Sequence, residues 1–170
     1  MEPKEISLRL EIKYKDANRI ISWLNNKEVS KYLNEDKDQI YSLEYLINNN
    51  ETELLQYRLN QDGRFFLIDK NHDSIGFLNL FTVKPNKEYE VIIVVGDPIN
   101  WGHKYGRAAL EECMREVFFK WRIEKLNVKV DKNNLRSVSL FEHLNYEKVR
   151  ENEKYFIYQM SFDKYLSTLN

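Results

Sequence analysis

The chain has 170 residues, 42% of them apolar and 31% charged, with a formal net charge of -1. That length suits a single domain over residues 1–170, with a core from roughly 6 to 162. The charge balance argues against affinity based on neutralising nucleic-acid phosphates, and no run of about 18 apolar residues is present to span a membrane.

The N-terminal residues Met1-Glu2-Pro3-Lys4-Glu5 lack the apolar core of a signal peptide, and the single cysteine, Cys113, cannot form an internal disulfide. A cytoplasmic location is the default expectation. Ile6, Leu8, Leu10, Ile12 and Tyr14 alternate with polar residues and predict a half-buried strand. Asp16 is placed to cap a helix over Ala17–Asn26, with Ile20, Ile21 and Leu24 facing inward. Val29–Leu33 predicts a short helical turn. Ser42 can cap a further helix through Leu43–Ile47, reaching toward Tyr57, with Gly63 ending the helical region. Phe65–Asp69 predicts a strand, Asn71-His72-Asp73 a turn, and Ile75–Val83 a second strand. Pro85-Asn86-Lys87 predicts another turn and Glu88–Val95 a third strand. Val91–Val95 is apolar at every position, as expected of a central strand covered on both faces.

A loop over Gly96–Gly106 follows. Tyr105, Ala109, Cys113, Val117 and Trp121 repeat every four residues, and Leu110, Met114 and Phe118 widen the same helical stripe. Leu126, Val128 and Val130 predict a strand, and Leu135–His143 a helix ended by a left-handed Asn145. Tyr146–Arg150 and Tyr155–Phe162 predict a hairpin around Glu151-Asn152-Glu153, with Phe156, Tyr158, Met160 and Phe162 on one face. This order is that of a mixed α/β domain with a strand–helix–strand crossover.

The chemistry concentrates in the loop. Three of the five glycines, Gly96, Gly102 and Gly106, lie within it. Glycines before a helix start allow backbone amides to approach a phosphate closely. The same glycines also fit a tightly packed strand–helix turn. The loop lacks the Gly-Lys-Ser/Thr ending of a P-loop and a full G-x-G-x-x-G.

Trp101-Gly102-His103-Lys104-Tyr105-Gly106, with Arg107-Ala108-Ala109-Leu110 after it, resembles the acyl-CoA loop of the GNAT N-acetyltransferase superfamily: Gln or Arg, two residues, Gly, one residue, Gly or Ala. Asn134 to Tyr146 resembles that family's second signature, Asn, two residues, Ser, two residues, Leu-Tyr-Glu, ending in Leu-Gly-Phe. Both stand in the expected order, and the resemblance covers nearly the whole chain. It implies a mixed, mostly antiparallel sheet with helices on both faces and a V-shaped split between two parallel central strands. It implies acetyl-CoA as acyl donor and no metal. Ile92, Ile93, Val94 and Val95 would meet the pantetheine arm. Trp101, Gly102, His103, Lys104, Tyr105, Gly106 and Arg107 would hold the pyrophosphate, with Asn134, Ser137 and Phe141 flanking the cofactor. Trp101, Lys104 and Phe141 depart from the pattern, standing for Gln or Arg, Gly, and the Tyr thought to protonate the leaving thiolate.

Direct transfer needs a base for the attacking amine, and Glu90 is the candidate, against a solvated strand-edge carboxylate as the plain alternative. Asp97 is expected to shape its turn, Asp131 to cap the region before Asn134, and Cys113 to be a core thiol. The acceptor implied is a small-molecule amine or a protein N-terminal amine, with no nucleic acid and no membrane, and with the protein a monomer or homodimer. Ile21–Leu33 resembles the first helix of ribosomal-protein N-terminal and aminoglycoside 6′-N-acetyltransferases. Asn25, Glu28 and Glu35 are candidate contacts for a cationic amine, against a solvated helix end as the plain alternative. Tyr32, Tyr41 and Tyr45 fall in the acceptor region, where core or rim positions are the alternative. A catalytically weak acyl-CoA-binding or regulatory domain is the alternative.

Overall fold

A computed structural model describes residues 6–33, 45, 48, 49 and 52–170. Its elements run in the order β1 (Ile6–Arg9), α1 (Tyr14–Asn25), α2 (Lys27–Ser30), α3 (Thr52–Leu59), β2 (Gly63–Lys70), β3 (Asp73–Lys84), β4 (Glu88–Val95) and a 3₁₀ turn (Pro98–Asn100). Then come α4 (Tyr105–Arg115) with a π turn (Glu116–Lys120), β5 (Lys125–Asp131), α5 (Leu135–His143), β6 (Glu147–Glu151), β7 (Tyr155–Ser161) and α6 (Phe162–Thr168). The seven strands form one mixed sheet in the order β1-β2-β3-β4-β5-β7-β6. β4 and β5 are the parallel pair, in register from Glu88–Lys125 to Glu90–Asn127. The shared ladder ends there, while β4 runs on to Val95 and β5 to Asp131. A mixed sheet with one parallel pair is as expected. The predicted Ser42 cap, most of the Leu43–Ile47 helix, Glu35 and Tyr41 lie outside the described residues.

The chain divides into two compact units, Met1–Asn79 with Ile93–Ala109, and Leu80–Ile92 with Leu110–Asn170. In the first, β1 stops at Arg9, well short of the predicted Tyr14, and Arg9 turns its guanidinium into a carboxylate cluster. Its Nε donates to Asp69 at 2.6 Å and its Nη1 to Asp16 at 2.9 Å. Asp16 is fully buried and also accepts from the Lys13 backbone N–H and the Ser74 hydroxyl. It therefore does not precede the helix as its cap. It sits one turn inside, reaching back to the true start at Lys13, as the acidic member of a capping box does. Burial pushes the Asp16 carboxyl up, but the Arg9, Lys13 and Ser74 hydrogen bonds outweigh it and hold the group below its usual value. Ile20, Trp23 and Leu24 of α1 are buried, and Ile21 packs beside Ala17 and Leu55. Gly63 opens β2, whereas the sequence reading had it close a helix. The Asn71-His72 turn is as expected, both residues having positive φ.

In the second unit, Leu110, Cys113, Met114, Val117 and Phe118 form the buried stripe of the long helix. The helix widens at its end, where the Trp121 N–H reaches back to the Glu116 carbonyl, five residues earlier. Trp121 is half-buried and meets the Tyr89 ring edge-on at 5.7 Å. Phe162 does not extend the hairpin. Ser161 caps a final helix by accepting from the Lys164 N–H, and Tyr165 of that helix stacks on Phe118 at 4.9 Å. β6 is the outermost strand and all five of its residues are exposed.

Among the described residues, one buried side-chain polar atom has no partner, the Tyr146 hydroxyl. Burial raises its pKa well above the usual value, so it stays protonated with no hydrogen-bond acceptor. A buried, unpaired hydroxyl is destabilising, so Tyr146→Phe should stabilise the protein by about 1 kcal/mol. The midpoint of urea unfolding should rise, and a lower midpoint would mean that the hydroxyl is satisfied.

Candidate active site

The loop is built from the end of β4 outward. The Gly96 N–H donates to the Ile75 carbonyl at 2.7 Å, which keeps the chain on the β3 side as it leaves the strand. A Cβ at Gly96 would overlap the Trp23 indole. This glycine serves packing, the alternative that the sequence leaves open for the loop glycines. The Asp97 carbonyl accepts from Asn100 and the Pro98 carbonyl from Trp101, forming the short 3₁₀ turn. Asp97 shapes this turn as expected. The Trp101 indole Nε1–H then donates back to the Val95 carbonyl at 2.8 Å.

Past Trp101 the backbone turns twice through the left-handed region, at Gly102 (φ 78°) and Lys104 (φ 63°). A side chain at Gly102 would meet nothing within 4 Å, so its dihedral, not crowding, calls for glycine. Lys104 occupies the position of the motif's middle glycine and keeps the glycine-like conformation. The Lys104 carbonyl accepts from Ala108, closing the first turn of α4. Tyr105, Gly106 and Arg107 thus supply first-turn amides, which point along the axis out of the helix start. The loop as predicted ended at Gly106, but the helix begins at Tyr105. Tyr105 is buried, with the His103 ring stacked on it at 5.4 Å and the Lys70 ammonium 4.9 Å from its centroid. His103, Lys104 and Arg107 are exposed, so the loop presents the Lys104 and Arg107 cations to solvent.

In the second unit, Glu90 is half-buried and forms the last pair of the parallel ladder, opposite Asn127. Two residues before it, Glu88 accepts from the Asn127 amide, and Asn127 in turn accepts from Gln159 at 2.9 Å. Sequence reasoning passed over this Glu88–Asn127–Gln159 chain. In the alternating run Leu126–Val130 the amide stands at a polar position, as Lys129 does, so spacing gave no signal for it. Asn134 caps α5 by accepting from the Ser137 N–H at 3.3 Å, and both residues are half-buried. Asp131 accepts from the Asn133 N–H, as expected of a residue shaping that turn. Phe141 is 1% exposed, its ring edge-on to Tyr146 at 5.1 Å and stacked with Tyr158 at 6.3 Å. The Tyr158 hydroxyl donates to Glu142, and burial together with that carboxylate raises it to about 12.

Of the candidate acceptor residues, Asn25 and Glu28 are exposed, Tyr45 is 63% exposed, and Tyr32 is half-buried with the Lys31 ammonium over its ring. Among the described residues no group of three or more His, Cys, Asp or Glu side chains is arranged to hold a metal ion, and no helix is long and apolar enough to cross a membrane.

The sequence profile of the acetyltransferase (GNAT) domain matches residues 8–147. The chain belongs to the GNAT family of N-acetyltransferases. An N-acetyltransferase 9-like protein of Nematostella vectensis is 26% identical to this acetyltransferase over 134 residues, covering 71% of the chain and 68% of that protein. The fold is shared with a spermidine N-acetyltransferase of Vibrio cholerae solved with CoA and spermine, at a TM-score of 0.76 and 17% identity, covering 96% and 99% of the two chains. It is also shared with the Campylobacter jejuni N-acetyltransferase PseH solved with acetyl coenzyme A, at a TM-score of 0.67 and 17% identity, covering 92% and 99%.

Proposed function

We propose that this acetyltransferase moves an acetyl group from acetyl-CoA to a primary amine, either of a small molecule or of a protein N-terminus, by direct attack. The observation that carries the reading is the loop conformation. Gly102 and Lys104 both take the left-handed turns that deliver the chain into α4, even though one of them is not glycine. Tyr105, Gly106 and Arg107 would place amides at the pyrophosphate, with Lys104 and Arg107 adding charge and the exposed His103 ring beside them. Val94, Val95, Ile92 and Ile93 would line the pantetheine arm, and Asn134 and Ser137 would contact the cofactor. The spermine-bound relative supports an amine acceptor. The likeness of Ile21–Leu33 to ribosomal-protein and aminoglycoside enzymes is compatible with both acceptor classes. The buried free thiol of Cys113 accords with a reducing, cytoplasmic setting.

In the proposed reaction the neutral amine bonds to the thioester carbonyl carbon, the carbon–sulfur bond breaks, and Glu90 takes the surplus amine proton directly or through water. The thiol, with a pKa near ~8.5, can leave as thiolate with modest help. Glu90→Gln should lower turnover by about 100-fold while CoA affinity stays within about twofold. An unaltered pH–rate profile in this variant would remove Glu90 from the mechanism.

A second reading, an acyl-CoA-binding or regulatory domain, is favoured by one observation. Phe141 brings no hydroxyl, and the Tyr158 hydroxyl beside it is committed to Glu142. Calorimetry with CoA and acetyl-CoA, paired with thiol release over a panel of amines, separates the readings. Binding with no turnover on any amine favours the second, and no binding removes both.

A further inference from the structure

We infer that Trp101 is a positioning residue, an internal latch that holds the cofactor loop in its binding shape before CoA arrives. The inference rests on the acyl-CoA reading above. Position 101 is where the family motif has Gln or Arg, polar side chains with several hydrogen-bonding atoms. Tryptophan has a single side-chain donor. Here that donor is committed within the protein, to the carbonyl of Val95, six residues back and at the last position of β4. The same residue's backbone N–H is held by the Pro98 carbonyl at 3.0 Å, and Asn100 by Asp97 at 2.8 Å. At its other end the segment is anchored by the Gly96 N–H on Ile75. The indole bond therefore ties the two ends of residues 95–101 together across the 3₁₀ turn that the backbone bonds form between them.

The consequence lies just downstream. Gly102 and Lys104 adopt left-handed backbone conformations, and for lysine that region carries a steric cost because its Cβ crowds the backbone. A strained turn persists only when its surroundings over-determine it. Tyr105, buried beneath His103 and Lys70, fixes the turn on the helix side. The indole latch fixes it on the strand side. A loop so held loses less conformational freedom when CoA binds, which favours affinity without any direct contact from Trp101.

The test removes only the donor. Trp101→Phe keeps an aromatic ring, and replacing the indole with its benzothiophene isostere keeps the full shape without the N–H. Both proteins are assayed for CoA affinity by calorimetry and for backbone hydrogen exchange without ligand. Both should bind CoA about fivefold more weakly, the scale of one net hydrogen bond. Exchange should quicken at residues 97–104 and stay unchanged in β5 and β7. CoA affinity equal to that of the parent, or exchange that quickens throughout the chain, overturns the latch. A parent protein that binds no CoA overturns the acyl-CoA reading and the latch with it. A parent that binds while both variants bind equally well overturns the latch alone.

Discussion

Replacing Asp16 with alanine should cost about 3–5 kcal/mol, the range for removing one partner of a buried ion pair. The carboxylate is fully buried and serves three groups at once: the Arg9 guanidinium, the Lys13 N–H that opens α1, and the Ser74 hydroxyl on β3. Without it Arg9 keeps Asp69, but the helix start loses its acceptor, and the Ser74 hydroxyl loses its acceptor while still accepting from Arg19. The measurement is the urea midpoint at pH 7, and a loss below about 1 kcal/mol would mean that water replaces the carboxylate without penalty. The pH dependence follows from the direction of the shift. The folded-state pKa lies below the ordinary carboxylate value of 3.8, so the unfolded chain takes up the proton first as pH falls. The stabilisation is complete above that ordinary value and is lost as pH drops through the lower folded value. The parent should therefore lose its advantage over Asp16→Ala on acidification below pH 3.8 and hold it at neutral pH.

Gly76→Ala should be comparably damaging for a different reason. A Cβ there would run into the carbonyl oxygen of Val94, a backbone atom that cannot rotate away. The strands must shift, and overpacking of this kind costs about 1–3 kcal/mol, here at the upper end because backbone has to move. The shift would fall one residue from Val95, whose carbonyl holds the Trp101 indole. Weaker CoA binding should accompany the lower melting temperature. An alanine variant with parental melting temperature and affinity would show that the strands have slack at this point.

The sequence pattern located what depends on local periodicity. Glu88–Val95 and Leu135–His143 form the strand and helix predicted, and Asn145 is left-handed as expected of a helix stop. The loop motif identified which backbone turns toward the helix start. It carried no information on where the Trp101 side chain points, because a side chain's partner six residues back leaves no periodic trace. Glu88, Asn127 and Gln159 meet across three strands, so their chain of amides depends on register and not on spacing. The last helix was missed because two periods coincide at Phe162. It continues the alternation of Phe156, Tyr158 and Met160, and it also begins the helical step to Tyr165. Asp16 was assigned as a cap because its residue type suits that role, whereas the actual start is set by the reach of its carboxylate back to Lys13.

The outermost strand, β6, has a consequence for how the molecule behaves in company. An open sheet edge is a template on which foreign strands can add, the route to amyloid-like growth. This edge reads Glu147-Lys148-Val149-Arg150-Glu151, four charges of both signs around one apolar residue, and its register slips between Lys148 and Arg150. An incoming strand would have to match that charge order and follow the irregularity, and few sequences can. The edge is thereby guarded against indiscriminate templating at high concentration, even though the whole strand is open to solvent.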